Sequence, residues 1–259
     1  VRHTAQDKEP LFLSNYLFYI IKDQDNGIWL AADAAGVSYI SPKPKAIARY
    51  AIPCIEKPGS RDNGILRIKQ LKDGKIIVST YNNKNYILNP TTATFTPYTA
   101  IDYAISAYVI DHNGSEWFGL NKDGITIDGK RYTTNDKQTN LPSNNIRDMA
   151  IDKQGRVWVA TWGGGLAYTT PKPGKAPLFK VILNNELNKS KVYSLSLSTS
   201  GNLFVATYNG LYIIDTNKKD FSEDNILNFN VENKQLPTDE ITTIKAIGDD
   251  TLWMGTTGY

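Results

Sequence analysis

Few residues in this chain have the type and spacing needed for chemistry. The 259 residues include two histidines, His3 and His112, and a single cysteine, Cys54. A histidine metal site or a nucleophile–base–acid triad needs partners that converge, and two scattered histidines supply none. Within Ile52-Pro53-Cys54-Ile55 the thiol reads as packed and inert. Asp23-Gln24-Asp25-Asn26-Gly27 opens like a calcium loop. A bidentate acid is required at its twelfth position, which holds Ala34. The pattern recurs as Asp111-His112-Asn113-Gly114 and Asp152-Lys153-Gln154-Gly155, which marks a turn between strands. Gly163-Gly164-Gly165 lacks the Gly-Lys-Ser/Thr of a phosphate cradle and reads as a flexible strand connection. No Gly-x-Ser-x-Gly elbow occurs. No catalytic residue, metal or cofactor is expected.

Binding chemistry remains. Trp162, Tyr208 and Tyr81 each lie four residues beyond an apolar anchor, and Trp162 directly precedes three glycines. Asn82, Asn145, Asn209 and Asp239 stand nearby in similar loops. Aromatic plates beside amides and carboxylates suit saccharides, which present hydroxyls around apolar faces. These seven residues are the candidate ligand site. Trp162 is read as an indole held out on its loop, against the alternative that each ring caps its own blade.

What would position them is an internal repeat. Six apolar cores align on Trp29, Ile77, Trp117, Trp158, Phe204 and Trp253. Two residues after each anchor stands a small one: Ala31, Ser79, Gly119, Ala160, Ala206 or Gly255. In a strand those two positions share a face, so each repeat sets a knob beside a hole. The position between them, on the other face, is apolar throughout, which predicts strands buried on both faces. Alternating runs precede each core, across tight turns ending in Gly27, Gly74, Gly114, Gly155, Gly201 and Asp250. Two more strands follow. Repeat two has Asn85 where a glycine is expected and is the most degenerate copy. Four strands per roughly 45 residues in tandem predict an all-β fold, a β-propeller of four-stranded blades. The blades fall at 16–52, 64–97, 104–133, 146–183, 191–231 and, in part, 240–259 of a single domain. Trp29, Trp117, Trp158, Phe204 and Trp253 are its structural anchors.

Leu141-Pro142-Ser143-Asn144-Asn145-Ile146, followed by Asp152 to Thr161 and Gly165-Leu166, resembles a two-component regulator propeller repeat. Leu236 to Ile241 with Trp253 to Gly258 resembles it again, and Asp23 to Trp29 matches its centre. The resemblance implies the extracytoplasmic sensor region of a Bacteroidetes hybrid two-component regulator. Such a region is periplasmic in a protein anchored in the inner membrane, and it senses polysaccharide breakdown products. The resemblance also admits a structural propeller of a secretion assembly, or a propeller lyase or glycosidase. Family propellers have seven blades, so five full blades and a partial sixth are expected to be part of a larger ring. The open faces would be covered by further blades or domains of the same protein, or by a second copy.

Composition narrows the partners. The net charge is +3, from 29 basic and 26 acidic residues without a basic run. That leaves no electrostatic footprint for nucleic acid. No stretch nears the ~18 apolar residues of a membrane span. An oligosaccharide or other small ligand remains.

Overall fold

The computed structural model describes residues 17–23, 26–32, 36–41, 47–50, 64–92, 94–182, 187, 190–219, 221–222 and 225–257. His3, Gln24, Asp25, Ala34, Cys54 and Asp220 lie outside the described residues. The chain divides into two compact units, Val1–Ile105 and Ser106–Tyr259.

Unit 1 holds two four-stranded sheets. The first is β1 (Leu17–Lys22), β2 (Ile28–Ala32), β3 (Gly36–Ile40) and β4 (Ile47–Tyr50). The second is β5 (Ile65–Gln70), β6 (Ile76–Thr80), β7 (Asn85–Asn89) and β8 (Thr94–Pro97). Unit 2 holds three more: β9 (Ile105–Ile110), β10 (Glu116–Leu120), β11 (Gly124–Ile127) and β12 (Lys130–Tyr132); β13 (Ile146–Ile151), β14 (Val157–Thr161), β15 (Leu166–Thr169) and β16 (Lys180–Val181); β17 (Val192–Leu197), β18 (Asn202–Thr207), β19 (Gly210–Asp215) and β20 (Ile226–Phe229). A two-stranded sheet follows, β21 (Ile241–Ile247) and β22 (Thr251–Thr256). Every sheet pairs its strands in chain order, as propeller blades do.

Three of the tryptophan knobs come with a cap. The buried indole of Trp158 donates from Nε1 to Asp152 Oδ2 at 2.7 Å. Trp117 donates to Asp111 Oδ2 at 3.0 Å, and in unit 1 Trp29 donates to Asp23 Oδ2 at 2.8 Å. The other oxygen of Asp152 accepts the turn N–H groups of Gln154 and Arg156. One carboxylate thus closes the turn and satisfies a buried indole, which is why these turns look like cation loops. Where the anchor has no N–H to satisfy, at Ile77 and Phe204, the position six residues earlier holds Leu71 and Ser198. Ile77 is buried and Phe204 half-buried.

The hole is a close fit. A Cβ on Gly119 would fall 2.6 Å from Ile146 Cγ2 and 2.9 Å from Ala107 Cβ. The small column therefore seats the first strand of the following sheet. Ala160 shares a core with Val192, and Ala206 with Ile241.

One expectation needs correction, and two turns show where the left-handed residue sits. Trp253 is 59% exposed and Met254 42%, because no sheet covers β22 among the described residues and Ile247 offers the indole no carboxylate. In the first turn the left-handed residue is Asn26, not Gly27. Gly27 is needed because the Tyr39 ring lies where its Cβ would be. In the last turn that conformation falls on Gly248 rather than Asp250.

Candidate functional site

A meander puts the turns between its first two strands at one end. The strand two–three loops and the connections between blades lie at the other. The candidate site of unit 2 lies at that second end.

A β-bulge recurs there. The register slips between Ile146 and Asp148, between Val192 and Ser194, and between Ile241 and Thr243. The residues left unpaired are Arg147, Tyr193 and Thr242. A bulge re-aims the side chain it leaves unpaired. The residues just beyond tie neighbouring blades together. Asp148 Oδ2 accepts from Ser194 Oγ at 3.1 Å and from Leu195 N at 3.0 Å.

Arg147 and Tyr193 meet Trp162. Its ring stands edge-on to Tyr193, with centroids 5.3 Å apart and planes at 89°. The Arg147 guanidinium carbon lies over the Trp162 ring at 5.1 Å. Lys191 Nζ lies 4.9 Å from the ring centroids of both Trp162 and Tyr208. Tyr193 is buried and donates its hydroxyl to Glu240 Oε1 at 2.8 Å. Glu240 Oε2 accepts from Thr257 Oγ1 at 2.7 Å. Burial, and next the bond to Glu240, push the Tyr193 phenol well above its ordinary range, so it remains a donor. Three consecutive blades thus converge in one aromatic–cation cluster.

The glycines after Trp162 are not a flexible connection. Gly163 N and Gly165 N both donate to Ser190 O, and Thr161 N and Oγ1 both donate to Gly165 O. A Cβ on Gly164 would fall 2.8 Å from Pro142 O. The glycines permit close approach and hold the loop in place. Trp162 N donates to Asn145 O, and Ser143 Oγ donates to Trp162 O. The half-buried indole is therefore neither held out alone nor a cap on its own blade. It leans on the following blade.

The remaining candidates have separate places. Tyr208 is 49% exposed. Asn145 Oδ1 is buried without a hydrogen-bond partner. Asn209 N donates to Thr207 Oγ1 in its own turn. Asp239 Oδ1 accepts from Val231 N at 2.7 Å, and its backbone oxygen accepts from Gly210 N. In unit 1, Tyr81 is 38% exposed and Asn82 Oδ1 accepts from Thr80 Oγ1 within its own turn. Asn85, seemingly a degenerate position, donates from Nδ2 to Ile101 O and Tyr103 O, each at 2.9 Å. His112 lies at the opposite end of its blade, over Gly155.

Arg147, Tyr193, Lys191 and Glu240 were not singled out from sequence. Aligned repeats do give a signal. The column of Arg147, Tyr193 and Thr242 carries Leu66 in repeat two and Ser106 in repeat three, each just after the first apolar residue of its run. The bulge that makes this column face outward from the pairing has no sequence mark.

Residues 140–163 match the family model described as two component regulator propeller. The chain carries a two-component regulator propeller repeat. That segment begins beside the site and runs through Asn145, Arg147 and Trp162. No curated protein matches the chain. Among solved structures, the chain is similar to the extracellular domain of a hybrid two component system from B. thetaiotaomicron, at 18% identity and TM-score 0.68, covering 94% of this chain and 34% of that one. It is similar to PorZ, a surface component of the type-IX secretion system of Porphyromonas gingivalis, at 22% identity and TM-score 0.62, covering 93% and 37%. It is also similar to virginiamycin B lyase from Staphylococcus aureus, at 14% identity and TM-score 0.65, covering 93% and 77%. The chain spans about a third of the first two structures, and the likeness establishes the propeller fold.

Proposed function

We propose that this chain is a ligand-recognising propeller from the extracytoplasmic sensor region of a hybrid two-component signalling protein. It binds polysaccharide-derived saccharides at the loop end of unit 2. The observation that carries this is the convergence of Arg147, Trp162, Lys191, Tyr193, Tyr208 and Glu240 from three consecutive blades. The anchors and their holes, which pack the blades, lie in other columns of the repeat. The two-component repeat at 140–163 supports the signalling context. The segment itself is read as non-catalytic, and kinase activity would belong to another part of the protein.

Calorimetric titration of the chain with oligosaccharides from several polysaccharides tests this. Binding to at least one of them, lost on Tyr208→Ala without a change in melting temperature, is expected. Turnover of any saccharide that follows the protein through purification would overturn the non-catalytic reading. The likeness to PorZ favours a second reading, a structural propeller in a secretion assembly. A kinase domain encoded downstream on the same gene selects the sensor.

A further inference from the structure

We propose that unit 2 carries a second ligand site, at the end of its blades opposite the loop-end cluster, which takes a small anion bearing hydroxyl groups, such as a uronate or a polyol phosphate. The site is a cleft of about 240 Å³ between blade three (β9 to β12) and the proline-rich connection from β15 to β16. That volume lies just under the ~300–1,000 Å³ of pockets for drug-sized ligands and suits one sugar ring.

The connection holds two lysines together. Lys175 N donates to Lys172 O at 3.1 Å, Pro173 and Gly174 fill the places between, and Gly174 has a φ of 68°. This is a type II turn: proline presets the first central residue, and glycine takes the left-handed second one. The turn brings the Cα atoms of Lys172 and Lys175 within ~7 Å of each other. Both lysines line the cleft. Pro171, Pro173 and Pro177 line it too and offer no N–H, so donation to an anion from this side falls mainly to the lysine side chains.

From blade three, Lys130 enters the same lining, with Nζ over the Tyr132 ring at 5.3 Å. Among the described residues neither Lys130 nor Lys175 makes an ion pair. Three lysines face two carboxylates, Asp111 and Asp128. Both carboxylates already serve their own blade. Asp111 accepts Asn113 N, Ser115 N and the Trp117 indole, and Asp128 Oδ1 accepts Glu116 N. The balance left to a ligand is positive.

The lining also has partners for hydroxyls. The Asn113 amide and the Ser115 hydroxyl make no hydrogen bond among the described residues. Asn113 is exposed and Ser115 half-buried, so a ligand reaches both. Each can donate and accept, as a sugar hydroxyl does.

The test is calorimetric titration of the full 259-residue chain with glucuronate and glycerol phosphate, beside glucose, glycerol and inorganic phosphate. One of the two acids should bind at least about tenfold tighter than its uncharged counterpart and than inorganic phosphate, with high salt weakening it. Lys130→Gln and Lys175→Gln, at exposed positions, should each weaken that acid at least about tenfold. Tyr208→Ala, in the loop-end cluster, should leave it unchanged. Equal binding of charged and uncharged forms, equal binding of inorganic phosphate, or no binding of either acid overturns the proposal. So does an acid whose affinity survives both lysine substitutions, and one lost on Tyr208→Ala alone belongs to the loop end instead.

Discussion

Blade two of unit 1 and blade four of unit 2 share one strand plan and differ in what each position is for. In blade four the anchor is Trp158, capped by Asp152, and the bulge residue is Arg147. In blade two the anchor is Ile77, the cap position is Leu71, and the bulge residue is Leu66, which is buried. At the cap and bulge positions blade four carries Asp152 and Arg147 where blade two carries leucines. On the proposed function, packing and recognition would use separate columns of the same repeat, and a blade would lose recognition by changing one bulge residue while its seam stays intact.

The largest effect should come from the anchor and its cap. Trp158→Ala removes a fully buried indole and should cost ~3–5 kcal/mol in urea melts. Asp152→Ala strands an indole N–H and two turn donors, at about 2–3 kcal/mol, whereas Leu71→Ala in blade two should cost about 1 kcal/mol. Equal costs for the last two would break the comparison. The hole can be probed in the opposite sense: Ala160→Leu overpacks the same seam by ~1–3 kcal/mol.

Trp162→Ala should fall between seam and surface. It loses the edge-on contact with Tyr193 and the platform for two cations, roughly 1–2 kcal/mol by thermal melt, together with saccharide affinity. Tyr208→Ala, at an exposed ring, should stay within about 0.5 kcal/mol while still weakening binding. A parental melting temperature for Trp162→Ala would mean that its ring is not packed as described.

Arg147→Leu gives blade four the residue type of blade two. The chain should remain folded by circular dichroism and lose at least about tenfold in saccharide affinity. Retained affinity would show that the bulge column does not distinguish the two blades.

The smallest effect concerns pH at the turn end. Asp249 accepts Thr199 Oγ1 and Ser200 N, and the Thr199 hydroxyl foremost holds its carboxyl down at about 2, against an ordinary 3.8. A depressed carboxyl stabilises the fold above its unfolded value, and that contribution is lost as pH falls from about 4 through about 2. Asp249→Asn should remove this step from an acid melt. The effect is small because the group is fully exposed.

The amino-acid sequence by itself determined the repeat and, from it, the all-β propeller of four-stranded blades. A large residue two positions before a small one is a local pattern that survives in every copy. It also marked the Trp162 loop, though for a reason that proved wrong: three glycines suggested freedom, and tertiary hydrogen bonds to Ser190 made them a fixed corner. The pairing of Trp29, Trp117 and Trp158 with an aspartate six residues earlier was present in the sequence and is explained only by the indole bond. Tertiary structure alone decided the site. Arg147 and Tyr193 lie 46 residues apart and meet because bulges in successive blades turn both toward Trp162. Neither a bulge nor the angle between neighbouring sheets has a local signature, because both arise from how one strand pairs and packs against another.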